Sequence, residues 1–97
     1  MINSRQRAQL RAMANDYDTI LHVGKGGIND NIVKQADDAL EARELIKIRI
    51  LETCPTSVRE TADSLAELTK SDVVQVIGSK FILYRESQKN KTIKLVK

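Results

Sequence analysis

The chain has 97 residues, of which 41% are apolar and only 3% aromatic, and its net charge is +3. This length suffices for one compact domain with a modest core and is too short for two. The scarcity of aromatic side chains argues against nucleic-acid binders of the RRM or OB type, which stack bases on aromatic rings.

Charge is unevenly distributed along the chain. Residues 1–29 carry four basic and two acidic side chains, residues 30–72 carry six and ten, and residues 73–97 carry six and one. The three segments therefore have net charges of +2, −4 and +5. If the two basic ends meet in the folded protein, they form one positive face suited to a polyanion.

The sequence also indicates a compartment. The single cysteine, Cys54, has no partner for an internal disulfide, and the N-terminus lacks the apolar segment of a secretory signal. No apolar stretch approaches the roughly 18 residues needed to cross a bilayer. We therefore expect a cytoplasmic protein that does not enter a membrane.

The first half of the chain predicts helix, strand and helix. Ser4 is a good N-cap, and apolar residues at helical spacing after it predict a helix near residues 4–15. The β-branched run at residues 19–23 predicts a short strand. Beyond a glycine-rich loop, apolar residues between 32 and 40 recur with a period near 3.6 and predict a second helix.

The second half predicts strand, helix and two strands. Residues 44–51 alternate between apolar and polar side chains, which is typical of a strand with one wet face. Ser57 and Glu60 have the spacing of a capping box ahead of a helix near residues 57–69. Two further strands are predicted within residues 72–86, joined by a tight hairpin at Gly78.

The predicted order is α-β-α-β-α-β-β, an α/β fold. Two strand-helix-strand units imply parallel pairing of the first three strands through right-handed crossovers, with the fourth strand antiparallel in a four-stranded mixed sheet. Residues 1–86 are predicted to form the domain. Residues 87–97 form a basic C-terminal tail with few apolar anchors, which we expect to be loosely held.

The loop Gly24-Lys25-Gly26-Gly27 joins the first strand to the second helix. Glycines allow a sugar-phosphate backbone to approach the main chain, and consecutive N–H groups at a helix N-terminus attract phosphate. Lys25 adds a positive charge at the tip, and Asn29 or Asp30 can cap the helix. The G-x-x-G form is that of the nucleotide-clamping loop of KH domains. The alternative is a turn with only a structural role.

Other chemistries lack their motifs. No Ser or Thr follows Lys25, so the Walker pattern is absent, and Asn29 breaks the G-x-G-x-x-G pattern of dinucleotide binding. His22 has no second histidine to complete a metal site and is interpreted as structural. Cys54 lacks a catalytic base and is interpreted as a small, mostly buried hydrophobe. The carboxylates of the second helix are interpreted as solvation, so we expect no enzyme activity, cofactor, metal or small-molecule substrate.

Four motifs, in this order, resemble the YhbY-type CRM domain: R-x-x-L-R-x-x-A in the first helix, VGKGG, ALEARELIKIRIL and QVIGSKFILYR. The resemblance covers nearly the whole chain. It implies an RNA-binding module with a two-layer α/β fold similar to the C-terminal domain of bacterial translation initiation factor three. It also implies association with precursors of the large ribosomal subunit. The implied contacts with ribosomal RNA are the glycine loop and neighbouring basic residues, expected to be Arg7 and Arg11.

A polar sheet face follows from strand alternation. The isoleucines of the second strand point to one face and its basic residues to the other. The same alternation suggests that polar residues of the later strands join them, close to the strand ends near the loop. A merely solvated face is the alternative. The candidate phosphate contacts here are Lys47, Arg49, Gln75, Lys80 and Arg85.

Three hypotheses of function therefore remain. The first is a monomeric protein that binds structured ribosomal RNA during large-subunit assembly. The second is an adaptor in ribosome assembly, whose acidic central helices bind a basic protein while the glycine loop is purely structural. The third is a KH-like reader of single strands, which requires an apolar groove beside the loop.

Overall fold

A computed structural model describes residues 2–97 of the protein. The helices and strands have the predicted order, and the four strands form one sheet in the order β1-β2-β4-β3. None of the helices in residues 2–97 combines the length and the apolar character needed to cross a membrane. The elements are α1 (Ser4–Ala14), β1 (Leu21–Val23), α2 (Asp30–Arg43), β2 (Leu45–Ile50), α3 (Val58–Thr69), β3 (Asp72–Ile77) and β4 (Lys80–Tyr84).

Strand directions agree with the prediction. β1 pairs parallel to β2, and β4 pairs antiparallel to both β2 and β3, so three strands run one way and β4 runs the other. The expected direct pairing of β2 with β3 is wrong, because β4 lies between them. The tight turn at Gly78, which has a φ of 54°, returns the chain along β3 and leaves the second edge of β4 for β2.

Each helix begins at a polar cap. The cap of α1 is Asn3 rather than the predicted Ser4: its side chain accepts a hydrogen bond from the Gln6 N–H at 2.8 Å, and its own N–H donates to the Gln6 side chain at 3.0 Å. Asn29 caps α2, which resolves the choice between Asn29 and Asp30. Ser57 caps α3 as predicted. These side chains satisfy N–H groups that the first helical turn leaves unpaired.

Helices cover both faces of the sheet. The α2 and α3 helices pack on one face against alternate strand residues that form the main core cluster, including Ile48 and Phe81. The α1 helix packs on the other face through Leu10 and Ala14, against Leu45 and neighbouring apolar residues. The sheet with α2 and α3 makes the two expected layers, and α1 adds a partial layer on the opposite face. The face under α1 is called the α1 face below.

The C-terminal segment is not loosely held, contrary to expectation. Ile93 and Leu95 pack against the cluster beneath α1. The Gln6 side chain donates to the Val96 carbonyl at 2.8 Å, and the Gln9 side chain bonds the main chain of residues 94 and 96. Both ends of the chain therefore meet on the α1 face, which confirms the condition that the charge distribution required. The division at residue 86 into domain and tail stays a prediction.

Two carboxylates of α2 and its C-cap hold the start of this segment. Glu44 is fully buried, has a φ of 66°, and accepts hydrogen bonds from the N–H groups of Ser87, Thr92 and Ile93 at 2.7 to 2.8 Å. Burial raises the pKa of Glu44, but these bonds outweigh it and the pKa lies below its ordinary value. The pKa of Glu41 is likewise lowered, chiefly by a hydrogen bond from the Ser87 hydroxyl and then by bonds from the N–H groups of Lys89 and Gln88. Neither carboxylate is the purely solvated group that the sequence indicated.

Candidate nucleic-acid interface

The glycine loop lies after β1, at the edge of the sheet, beside the connection from β2 to α3. The Gly27 N–H donates to the Gly24 carbonyl at 2.9 Å, which closes a turn with Lys25 and Gly26 at its tip. Lys25 and Gly26 are exposed. Gly27 is buried, has a φ of 59°, and lies so close to Pro55 that an added Cβ would be 3.2 Å from the proline Cγ. The loop thus has an exposed tip on a packed base.

This turn uses one of the main-chain N–H groups that the glycine loop was expected to offer to a phosphate. The Gly27 N–H is already engaged inside the loop, so it is not available to a ligand. The N–H groups of Lys25 and Gly26 make no hydrogen bond to any atom of residues 2–97. The exposed loop tip therefore offers an anion two consecutive main-chain N–H donors and one ammonium group.

The N-terminus of α2 is less open than expected. The Asn29 side chain accepts the Ile32 N–H at 2.9 Å, which uses one of the donors of the first turn. Asp30 places an exposed carboxylate in the same turn, where the helix dipole favours negative charge. Any phosphate near this loop would consequently depend more on Lys25 and the loop N–H groups than on the helix terminus.

Basic side chains of three strands lie together on the α1 face. Ile48 and Phe81 face the main core, so Arg49 and Lys80, one position along each strand, face the opposite side. Arg49 and Lys80 are direct cross-strand partners, and both are exposed. His22 is the partner of Arg49 on the other side and is also exposed. The row His22, Arg49, Lys80 therefore crosses three strands at the end of the sheet where the glycine loop begins.

Lys47 and Gln75 lie on the same face as this row, as predicted, in the neighbouring row that contains Ile82. Both neighbour Ile82 on β4, Lys47 from one side and Gln75 from the other. With Lys80 and Asn15, at the end of α1, they line a cleft of about 140 Å³. We call Lys47, Arg49 and Lys80 the basic sheet surface.

These cations form no ion pair with any residue from 2 to 97. Within residues 2–97, the ion pairs are Lys34 with Asp38, Arg59 with Asp63, Arg85 with Asp37, and Lys91 with Glu86. No cation of the basic sheet surface is among them, and neither Lys25 nor Arg11 is. Their charge is therefore not neutralised by a neighbouring carboxylate and is available to an external anion.

Arg7 of α1 does not lie beside the loop, and the placement of Arg11 there stays a prediction. The Arg7 guanidinium donates to the main-chain carbonyls of Val73 and Val74 on β3, which is the opposite edge of the sheet from β1. Its expected position beside the loop is wrong, because the side of α1 that carries it crosses over β3. Arg11 is exposed and lies one helical turn before Asn15, the residue at the end of α1 that lines the cleft.

Arg85 also lies elsewhere. Its guanidinium donates to the Asp37 carboxylate at 2.5 Å and to the Thr69 carbonyl at 2.8 Å, which ties the end of β4 to α2 and α3. The expectation that it joins Lys47 and Gln75 is wrong by strand parity. Arg85 alternates with Phe81 and Leu83, which face the main core, and not with Lys80.

The two faces of the sheet differ in charge. Exposed carboxylates lie along α2 and α3, whereas the α1 face carries the basic sheet surface. Sequence reasoning missed that His22 lies exposed beside Arg49, next to that surface. A strand of three residues is too short to show from its alternation which face His22 occupies, and that face becomes clear only from the pairing with Arg49.

Comparison with known proteins identifies the class of this domain. The model of the CRS1 / YhbY (CRM) domain family matches residues 2–85. The chain belongs to this family, which confirms the resemblance inferred from the four motifs.

Individual relatives agree with this assignment. The chain is 44% identical over 95 residues to the Bacillus subtilis protein named "Probable RNA-binding protein YqeI", covering 98% of this chain and 99% of the relative. It is 24% identical over 90 residues to a Haemophilus influenzae protein named "RNA-binding protein", covering 93% and 91% of the two chains. The solution structure of SAV1595 from Staphylococcus aureus, described as a candidate RNA binding protein, superposes with a TM-score of 0.83 at 48% identity, covering 99% of this chain and 100% of that one.

Proposed function

We propose that this protein binds RNA, and that its ligand is ribosomal RNA in precursors of the large ribosomal subunit. Its family and the names of its relatives support RNA as the partner. The part in ribosome biogenesis rests on the resemblance of the motifs to YhbY-type domains. In this proposal the protein acts in the cytoplasm as a monomer and without a catalytic step.

One observation carries the proposal. Arg49 and Lys80 are exposed cross-strand partners, Lys47 lies on the same face, and none of the three has an ion pair within residues 2–97. A set of unneutralised cations on one rigid face matches the regular negative charge of a nucleic-acid backbone. We propose that these three residues, with Arg11 and Lys25, contact phosphates.

The glycines have different roles in this proposal. Gly26 lets RNA approach the loop tip and offers its N–H beside that of Lys25. Gly24 and Gly27 shape the base: an added Cβ at Gly24 would be 3.3 Å from a Leu51 methyl group, and Gly27 is covered by Pro55. Arg7 and Arg85 are left out of the proposed contact set, because both guanidinium groups bind within the protein.

The form of RNA follows from the side chains on this face. Phe81 and Tyr84 are buried, so the basic sheet surface has no aromatic residue among its members. Readers of single strands depend on stacking, whereas structured RNA is recognised through its shape, phosphates and 2′-hydroxyl groups. The proposal is therefore that the surface reads the backbone of folded RNA.

Charge reversal tests this assignment. The variant with Arg49→Glu and Lys80→Glu should bind purified large-subunit ribosomal RNA much more weakly than the parent protein in a filter-binding assay. The matched control reverses Lys34 and Arg59, exposed cations on the other side of the molecule that are already ion-paired. Both variants have the same net charge. Equal losses in the two variants would contradict the proposed surface.

The adaptor hypothesis gives a different result. Its support is the exposed acidic side of α2 and α3. In that case the protein should stay with large-subunit precursors after RNase treatment, and the double reversal at residues 49 and 80 should leave co-sedimentation unchanged. Release by RNase together with loss of co-sedimentation in the double variant supports RNA binding.

A further inference from the structure

A second feature of the interface lies where β1 begins. A cavity of about 270 Å³ opens beside the linker from α1 to β1 and the start of β2. Its volume is slightly below the range of pockets that hold drug-sized ligands, so it suits a single small ring system. The lining residues are Tyr17, Asp18, Ile20, Arg43, Leu45, Ile46 and Lys47.

The lining combines three kinds of chemistry. Ile20, Leu45 and Ile46 contribute aliphatic surface. Tyr17 contributes an aromatic ring and is 38% exposed, whereas the other two aromatic residues of the chain are buried. The remaining three residues are charged. A flat, partly polar ring is the type of ligand that stacks on an exposed tyrosine.

The charges favour an anionic ligand that also carries hydrogen-bond donors. Arg43 and Lys47 line the cavity with one carboxylate, Asp18, so the net charge of the lining is +1 from these three groups. None of the three forms an ion pair within residues 2–97. The two cations can bind phosphate, and the carboxylate can accept a hydrogen bond from an amino or imino group of a base.

The wall of the cavity is held in place at both ends. The Tyr17 N–H donates to the Ala14 carbonyl at 3.0 Å, which fastens the linker to the end of α1. The Ile20 N–H donates to the Lys47 carbonyl at 3.0 Å, which fastens it to β2. A ligand would therefore meet a site that is already formed, and would lose little affinity to ordering the linker.

Lys47 connects this cavity to the basic sheet surface. It lines the cavity on the β1 side of β2 and the cleft shared with Gln75 and Lys80 on the β4 side. An RNA backbone that lies on the basic sheet surface thus passes directly beside the mouth of the cavity.

We propose that this cavity holds one unpaired nucleotide of the bound RNA, with its base stacked on Tyr17, its donors facing Asp18, and its phosphates between Arg43 and Lys47. The inference rests on the proposed RNA-binding function and adds a preference to it. The basic sheet surface binds folded RNA, and the cavity selects RNA in which a bulged base is displaced from the stack.

The test uses two synthetic RNA hairpins that differ only by one bulged 2-aminopurine nucleotide. The parent protein should bind the bulged hairpin at least about fivefold more tightly than the fully paired one, which is the lower end of the stacking contribution of one base. The fluorescence of the bulged base should fall on binding because the base stacks. Tyr17→Ala should remove both effects and leave binding of the paired hairpin unchanged, whereas Tyr17→Phe should keep them.

The outcomes separate this inference from the proposed function. Equal affinity of the parent protein for both hairpins would overturn the cavity assignment and leave RNA binding intact. Binding to neither hairpin would contradict both. A free nucleoside monophosphate that competes as well as the bulged hairpin would show a site for small nucleotides and would also overturn the assignment. Unchanged thermal unfolding of Tyr17→Ala serves as the folding control, since Tyr17 is partly exposed.

Discussion

The salt dependence of RNA binding offers the sharpest test of the basic surface. The perturbation is the pair of neutral substitutions Arg49→Ala and Lys80→Ala, made singly and together. Both side chains are exposed and have no ion pair within the described residues 2–97, so their removal takes away charge without opening the core. The expected effect is on the slope of log affinity against log salt concentration, because each neutralised phosphate releases counterions.

The magnitude follows from the number of cations on the basic sheet surface, on α1 and in the glycine loop that are proposed to contact phosphates. Five are proposed to contact phosphates, namely Arg11, Lys25, Lys47, Arg49 and Lys80. At roughly 0.9 per contact on duplex RNA, by analogy with duplex DNA, the parent slope is about −4.5 and that of the double variant about −2.7. Between about 50 mM and about 200 mM salt, the parent should lose about 500-fold in affinity and the double variant about 40-fold.

Fluorescence anisotropy with a labelled hairpin of large-subunit ribosomal RNA, measured over a series of KCl concentrations, gives the slopes directly. The control carries Lys34→Ala and Arg59→Ala, which remove two cations from the acidic side. We expect its slope to equal that of the parent protein. A double variant with the parent slope, or a control whose slope falls by the same amount, would refute the assignment of Arg49 and Lys80 as phosphate contacts.

Three further predictions concern the scaffold of the interface. Glu44→Ala leaves three N–H groups without their acceptor and should lower the free energy of unfolding by about 3 kcal/mol, whereas Glu44→Gln should lose less; urea unfolding measures both. Because the folded-state pKa of Glu44 is lowered, its contribution to stability is present above its ordinary value of 4.5 and is lost as the pH falls through the folded-state pKa. Glu44→Gln should therefore flatten the decline of stability between pH 5 and more acidic conditions, and an unchanged decline would contradict this. Gly27→Ala should cost more than Gly78→Ala, for which the left-handed backbone alone costs about 1 kcal/mol, because only Gly27 has a proline ring 3.2 Å from the added Cβ; equal losses would show that Pro55 moves aside.

Local patterns were sufficient for the elements and their order. The alternation in β2, the capping serine of α3 and the glycine at residue 78 act over a few residues, so each is legible from its neighbours in the chain. The glycine loop is also a local feature. Its tip at Lys25 and Gly26 is exposed, as expected for a glycine-rich loop whose main chain a ligand can approach. The four motifs likewise pointed to the CRM family, which the family match confirms.

The errors at Arg7, Arg85 and the tail each concern the relation between two distant segments. Placing Arg7 requires knowing which strand lies under α1, and placing Arg85 requires the parity of β4 relative to β2. The tail shows the same difficulty. Its apolar anchors are few, and it is held instead by Glu44 and Glu41, more than 40 positions earlier in the chain, and by the side chains of α1.

Pairing and packing decided what the interface is made of. Short-range periodicity tells which side chains share a face within one strand. The row from His22 through Arg49 to Lys80, however, exists only because β4 pairs with one edge of β2 and β1 pairs with the other edge of β2. The cavity beside Tyr17 likewise forms only where the linker bonds to β2. Local features depend on residues that are neighbours in the chain, so the sequence alone predicts them. These long-range contacts arise when elements far apart in the chain bury their apolar faces against one another, so only the tertiary structure determines them.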